Sequence, residues 1–301
     1  MKVQTKADLA LILVTMFWGA SCLLTKIGLI GVEPLTLMAL RFLIAFMLSA
    51  AVFWKRIATS GLITVKYAAI LAGILFIVYA FMTYGVKYTT ASNAGFLTCL
   101  ASIFIPIFAF VFLRQKQEKK VIFSIGLATV GVALLSFNAD LEFNIGDVLC
   151  ILCSVAFAVH ILVMGTYTKR VDSLALGVLQ LGFAGIYSLV AAYFFETPGF
   201  PQTSQSWVIV LILSIFCTAV GFIVQSVAQK YTTPSHTGLI FTMEPAFAAF
   251  FAFVFLGEVL AVRGYFGEVL MIISILIVEV ELPHRKKIQS GNELMKGNDL
   301  L

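Results

Sequence analysis

The chain has 301 residues, of which 61% are hydrophobic and 12% charged, with a mean hydropathy of +1.03 and a formal net charge of +5. Soluble domains are about half apolar and a quarter charged, so this composition excludes a water-soluble globular protein and points to a bilayer. The length suffices for about ten spans of roughly 20 residues with short loops between them.

Apolar runs between charged or turn-rich breaks predict those spans over residues 7–30, 34–54, 67–86, 89–113, 120–138, 146–167, 173–195, 206–229, 233–257 and 263–282. The first run is too long for a signal peptide and ends in GLIGVEP without a small-residue cleavage site, so none is expected. The breaks FNADLEFN and TPGFPQTSQS are turn-rich, whereas WKRI, RQKQEKK, TKRVDS and PHRKK are charged. The short polar stretch 284–301 is expected to be a disordered cytoplasmic tail. With the N-terminus inside, 16 of the 20 Lys and Arg residues fall on inner segments and 2 on outer ones, while Lys26 and Arg41 lie inside spans. That bias predicts an even span count with both termini cytoplasmic. It also accounts for the net positive charge through anionic lipid, without nucleic acid. All five cysteines lie in apolar runs and read as small core hydrophobes.

Residues Lys87–Leu113 recur without a gap as Lys230–Leu256, 143 positions later, with 13 of 27 residues identical. KYTT opens both copies and AFVFL closes both. Asp8 and Asp147, 139 apart, each open the first span of a half. The chain is therefore read as an all-α integral membrane protein of ten transmembrane helices, built as two five-helix repeats over 1–140 and 141–283. Five is odd, so the second repeat is inverted relative to the first. Such a duplication points to a transporter and gives a route to alternating access.

Several motifs resemble the EamA-like branch of the drug/metabolite transporter superfamily. They are WGASCLLTK with Trp18, Gly19 and Lys26; PLTLMALRF with Arg41; TTASNAGFLTCL; and TMEPAFAAFFAFVFLGE with Glu244-Pro245 and Gly257-Glu258. The resemblance covers the whole chain. It implies helices 3, 4, 8 and 9 around a central cavity, helices 1, 2, 6 and 7 flanking it, and helices 5 and 10 at the periphery. It also implies movement of small metabolites, often amino acids, usually outward. Two positions depart from the family pattern. Ser102 stands where a proline matching Pro245 is common, so the nearest kink is expected at Pro106 and the two kinks are not symmetric. Glu268 follows Gly267 where a small residue is usual.

Glu244 is the sharpest site candidate. It lies eleven residues into the ninth span, about 16 Å deep at 1.5 Å per residue. Ionisable groups at that depth are costly and usually functional. Pro245 is the expected hinge, because it removes a backbone donor and frees the Phe241 carbonyl. The competing reading is a structural glutamate holding the kink. Lys26 either binds a substrate anion or snorkels to the interface. Arg41 either grips a substrate carboxylate by its fork or forms a structural ion pair with Glu33 or Glu268. His160 is a proton relay or a hydrogen-bonded packing residue. Trp18, Tyr79, Tyr84, Asn93, Thr98, Gln180 and Gln225 are candidates for the cavity wall, against ordinary helix packing. Gly19, Gly95 and Gly238 are expected at close helix contacts. Cys150-x-x-Cys153 has no histidine at ligand spacing and is read as packing, with no metal and no cofactor expected.

No catalytic motif, paired carboxylate or phosphate loop argues for an enzyme. The expected function is a secondary transporter, exporting small metabolites such as amino acids across the cytoplasmic membrane. The alternatives are a passive facilitator or a multidrug-type efflux carrier. A small-molecule substrate and the lipid bilayer are the expected partners, and a homodimer is compatible with the sequence.

Overall fold

The computed structural model describes residues 3–89, 91–114, 118–136, 145–256 and 262–279. In chain order the helices are α1 (Val3–Gly28), α2 (Pro34–Ala58), α3 (Leu62–Tyr88), α4 (Ala91–Cys99), α5 (Ala101–Leu113), α6 (Lys119–Ser136), α7 (Ile145–Tyr167) and α8 (Ser173–Phe195). Then come α9 (Ser204–Ile212), a π-helical segment (Leu213–Val220), α10 (Gly221–Ala228), α11 (Pro234–Phe241), α12 (Glu244–Leu256) and α13 (Val262–Glu279). Among the described residues six stretches are long and apolar enough to cross a bilayer: α1, α2, α3, α7, α8 and the continuous run Ser204–Ala228. No strand occurs among the described residues. Every peptide group buried in lipid must be bonded within its own segment, which is why such apolar runs take helical form.

Local signals set the helix starts. Asp172 caps α8 by accepting from Leu174 N and Ala175 N, and its other oxygen pairs with Arg56 at 3.0 Å. Proline stands in the first turns of α2 and α11, where its missing N–H leaves no orphan.

The kink expected at Pro106 is not where the chain breaks. Pro106 lies inside α5, and the interruption sits at Leu100, between α4 and α5. The matching interruption, Thr242–Met243, separates α11 from α12. Both are single turns tightened to i→i−3 bonds, Leu100 N→Leu97 O at 3.3 Å and Met243 N→Ile240 O at 3.1 Å. Hydroxyls reinforce them, with Ser102 Oγ donating to Cys99 O at 2.8 Å and Thr242 Oγ1 to Leu239 O at 2.6 Å. The two breaks are therefore symmetric, contrary to the sequence expectation. A hydroxyl back-bond at Ser102 does for one what Pro245 does for the other.

In the bundle α2 packs on α8, α3 on both α7 and α8, and α6 on α13. Helix α1 packs on α10 and α12, the π segment on α2, and α4 and α5 on α7. The largest fully buried side chains include Phe42 and Phe222 near the centre. Gly19 and Gly238 sit at close contacts, as expected: an added Cβ would meet Phe247 Cβ at 2.7 Å and Ile105 Cδ1 at 2.6 Å. At Gly95 nothing among the described residues lies within 4 Å, so the close contact expected there is absent among them.

Candidate functional site

The breaks in α4–α5 and α11–α12 face each other across a cavity of about 50 Å³. Since about 10–15 Å³ of such space holds one water, the void admits a few water molecules or the end of a small solute. Thr98, Cys99, Ser102 and Ile105 line it from one broken helix, and Gly238, Phe241 and Glu244 from the other. Trp18 and Ser21 of α1, Tyr79 and Met82 of α3, and Cys153 and Phe157 of α7 close the sides, with Phe222 of α10 behind. Helices 1 and 6 of the ten-span count therefore line the cavity as well as flank it, because Trp18 and Phe157 project across it.

Glu244 is the first residue of α12, half-buried, with its side chain on the cavity. Gly19 brings α1 against it, since a Cβ there would lie 2.9 Å from Glu244 O. Pro245 is buried in the first turn of α12 and, lacking an N–H, cannot bond back across the break. A carboxylate at a helix N-terminus meets the positive end of the helix dipole. The arrangement therefore offers a fixed acid to a proton or a substrate cation.

Trp18 donates its indole N–H to Cys217 O at 2.8 Å and packs on Phe241, Phe222 and Phe157 at centroid distances of 4.9, 5.2 and 5.7 Å. The acceptor belongs to the π segment, whose wider turn departs from the regular α-helical ladder. The same segment turns Thr218 toward Arg41, whose Nε donates to Thr218 Oγ1 at 2.5 Å. Nη2 of Arg41 donates to Ser21 Oγ at 3.2 Å and Tyr79 OH at 3.3 Å, and its guanidinium lies 4.7 Å over the Tyr79 ring. Arg41 thus stands just behind the wall formed by Ser21 and Tyr79. The ion pair expected with Glu33 does not form, because Glu33 pairs with Lys87 at 2.9 Å. The side chains of Glu268 and Asn93, and residues 257–258, lie outside the described set.

Other candidates fall away from the cavity. Lys26 donates to the Thr89 carbonyl at the end of α3, where a cation complements the helix dipole. Tyr84 donates to Glu196 at 2.9 Å, part of a cluster in which Glu196 also accepts from Leu35 N and Thr36 N at the start of α2. His160 is fully buried, bonded to Gln180 at 3.3 Å and stacked on Phe157. It sits behind Phe157 and Phe222 and does not line the void. Gln180 also reaches Ser226, at 3.4 Å, and Gln225 is buried within α10 off the void. Of the sequence candidates, the structure gathers Glu244, Trp18, Tyr79 and Thr98 at the cavity. It adds Ser21, Met82, Cys153, Phe157 and Phe222, which no polar signal marked. No group of three or more His, Cys, Asp or Glu suited to a metal occurs among the described residues.

The sequence model of the EamA-like transporter family matches twice, over residues 5–137 and 144–280. An uncharacterized transporter of Archaeoglobus fulgidus is 31% identical over 279 residues, covering 92% of this chain and 86% of the relative. The uncharacterized transporter YvbV of Bacillus subtilis is 24% identical, covering 96% of each chain. One solved crystal structure, 17% identical, superposes with a TM-score of 0.77 over 91% of this chain and 96% of its own, which supports the fold alone. With the family matched across both halves, the multi-pass membrane bundle described above belongs to the EamA-like transporter family.

Proposed function

We propose that the protein is a secondary transporter that moves small metabolites, amino acids among them, outward across the cytoplasmic membrane by alternating access. The observation that carries this reading is the cavity at two facing helix breaks, mostly apolar in its lining, with Glu244 at the rim of one. Broken helices offer substrates a polar environment in mid-bilayer that a regular helix cannot. Ten spans in two inverted repeats, 1–140 and 141–283, supply the frame. Its support is the correspondence of helix starts: Ala91 with Pro234, Ala101 with Glu244 and Lys119 with Val262 at an offset of 143, and Pro34 with Ser173 at 139. The packing corresponds too. The contact of α3 with α7 has its counterpart in α10 with α1, and that of α4–α5 with α7 in α11–α12 with α1.

Glu244 puts a carboxylate on the cavity, while Arg41 lies behind Ser21 and Tyr79 and orients both. The acid suits a solute bearing an amine. The Lys and Arg bias supports both termini on the cytoplasmic side. Counterflow in proteoliposomes against an amino-acid and metabolite panel tests the function. At least one solute should be exchanged above the level of empty vesicles, and exchange of none would contradict it.

A further inference from the structure

Thr89 closes the C-terminus of α3 and donates its hydroxyl to Asp147 Oδ1, in the first turn of α7, at 2.6 Å. Both residues are buried, and Lys26, near the end of α1, holds the Thr89 carbonyl. Three helices are thereby tied at one end of the bundle. The chain carries the same pair a second time. Thr232 occupies the Thr89 position of the second KYTT, and Asp8 the Asp147 position at the start of α1. They too are buried, at 5% and 3% exposure. Yet neither Asp8 oxygen nor the Thr232 hydroxyl has a hydrogen-bond partner among the described residues.

This second pair lies at the other end. The 18 residue steps of helix from Asp8 to Lys26 span about 27 Å at 1.5 Å each. Gln4 of α1 meets His236 of α11 at 3.3 Å, which brings the segment around Thr232 to the Asp8 end. Unpartnered buried carboxylates and hydroxyls are rare, because each forfeits its bonds to water without replacement. A donor and an acceptor left orphaned at one end, with their repeat counterparts bonded at the other, form one half of an exchange.

We propose that Asp8 and Thr232 are a second latch, made when the Thr89–Asp147 latch opens, so that the two hydrogen bonds alternate as the cavity opens to either side. The inference rests on the alternating-access reading. Backbone contact explains which latch is made at rest. A Cβ on Gly146 would lie 2.8 Å from both Gly85 O and Thr89 N, so α3 and α7 touch closely there. The counterparts of Gly146 and Gly85 at the other end are Ala7 and Ala228, both buried, so a methyl group stands at each position where glycine permits the close approach of α3 and α7.

Cysteine pairs in the full-length, otherwise cysteine-free protein test this in membranes: Thr89→Cys with Asp147→Cys, and Asp8→Cys with Thr232→Cys. Under copper–phenanthroline oxidation the first pair should cross-link rapidly and the second slowly. Adding Thr89→Val to the second pair should speed its cross-linking several-fold, and Asp147→Ala, which removes the acceptor in place of the donor, should do the same. A rate that neither substitution changes, or no cross-link in any background, overturns the latch. Labelling of single Thr89→Cys and Thr232→Cys proteins by a membrane-impermeant thiol reagent separates the two readings. Labelling from opposite faces without coupled cross-linking sinks the latch alone, and labelling from one face sinks the inverted arrangement beneath it.

Discussion

Trp18 and Cys217 are 199 positions apart, yet the indole N–H of one donates to the carbonyl of the other at 2.8 Å. That bond ties α1 to the π segment and fixes the ring over the cavity. Trp18→Phe keeps an aromatic ring and loses the donor, leaving the carbonyl unpaired. The expected loss is about 1 kcal/mol, read as a lower melting temperature in detergent. An unchanged melt would mean that the π carbonyl finds another donor.

Arg41 is held on three sides, by Thr218, Ser21 and Tyr79. Lysine keeps the charge but cannot reproduce a planar fork. Arg41→Lys is expected to lower the melting temperature, while the surviving folded protein keeps its apparent affinity in counterflow. Weakened affinity with an unchanged melt would instead place the guanidinium on the substrate.

Tyr84 belongs to the Glu196 cluster at the start of α2 and not to the cavity. Tyr84→Phe should leave counterflow unchanged and cost about 1 kcal/mol of stability. A transport defect in a protein that melts normally would return Tyr84 to the substrate path.

The glycines separate two kinds of position. At Gly146 a methyl group collides with backbone atoms at 2.8 Å, and backbone cannot move aside as a side-chain tip can. Gly146→Ala should reduce the yield of monodisperse protein and lower its melt. Gly95→Ala, where nothing among the described residues lies within 4 Å, should do neither. Equal behaviour of the two variants would contradict the tight crossing of α3 and α7.

Much of this architecture was legible in the sequence because its signals are local. The repeated KYTT locates the ends of α3 and α10, and the Glu244-Pro245 pair marks the break before α12. The place of Glu244 well inside its span followed from counting along the ninth apolar run. The break at Leu100 was hidden because a serine hydroxyl, not a proline, supports it. Pro106 misled because a helix can carry a proline inside once its neighbours absorb the lost bond. The π segment left only a faint trace, Ser214 and Thr218 before Gly221 in an apolar run. The positions of Tyr84, Gln225 and Lys26 depend on which helices meet, and one chain's periodicity does not encode that.

Glu244 is expected to face the transport route, with its carboxylate taking part. Glu244→Gln preserves size and hydrogen bonding but removes the titrating charge. Counterflow by the variant in proteoliposomes, at matched amounts of folded protein and across a pH series, is the most direct measurement. Transport should fall by about tenfold, equivalent to about 1.4 kcal/mol, and its pH dependence should flatten. Wild-type rates with an unchanged pH profile would contradict the claim and leave Glu244 as a structural residue of the helix break.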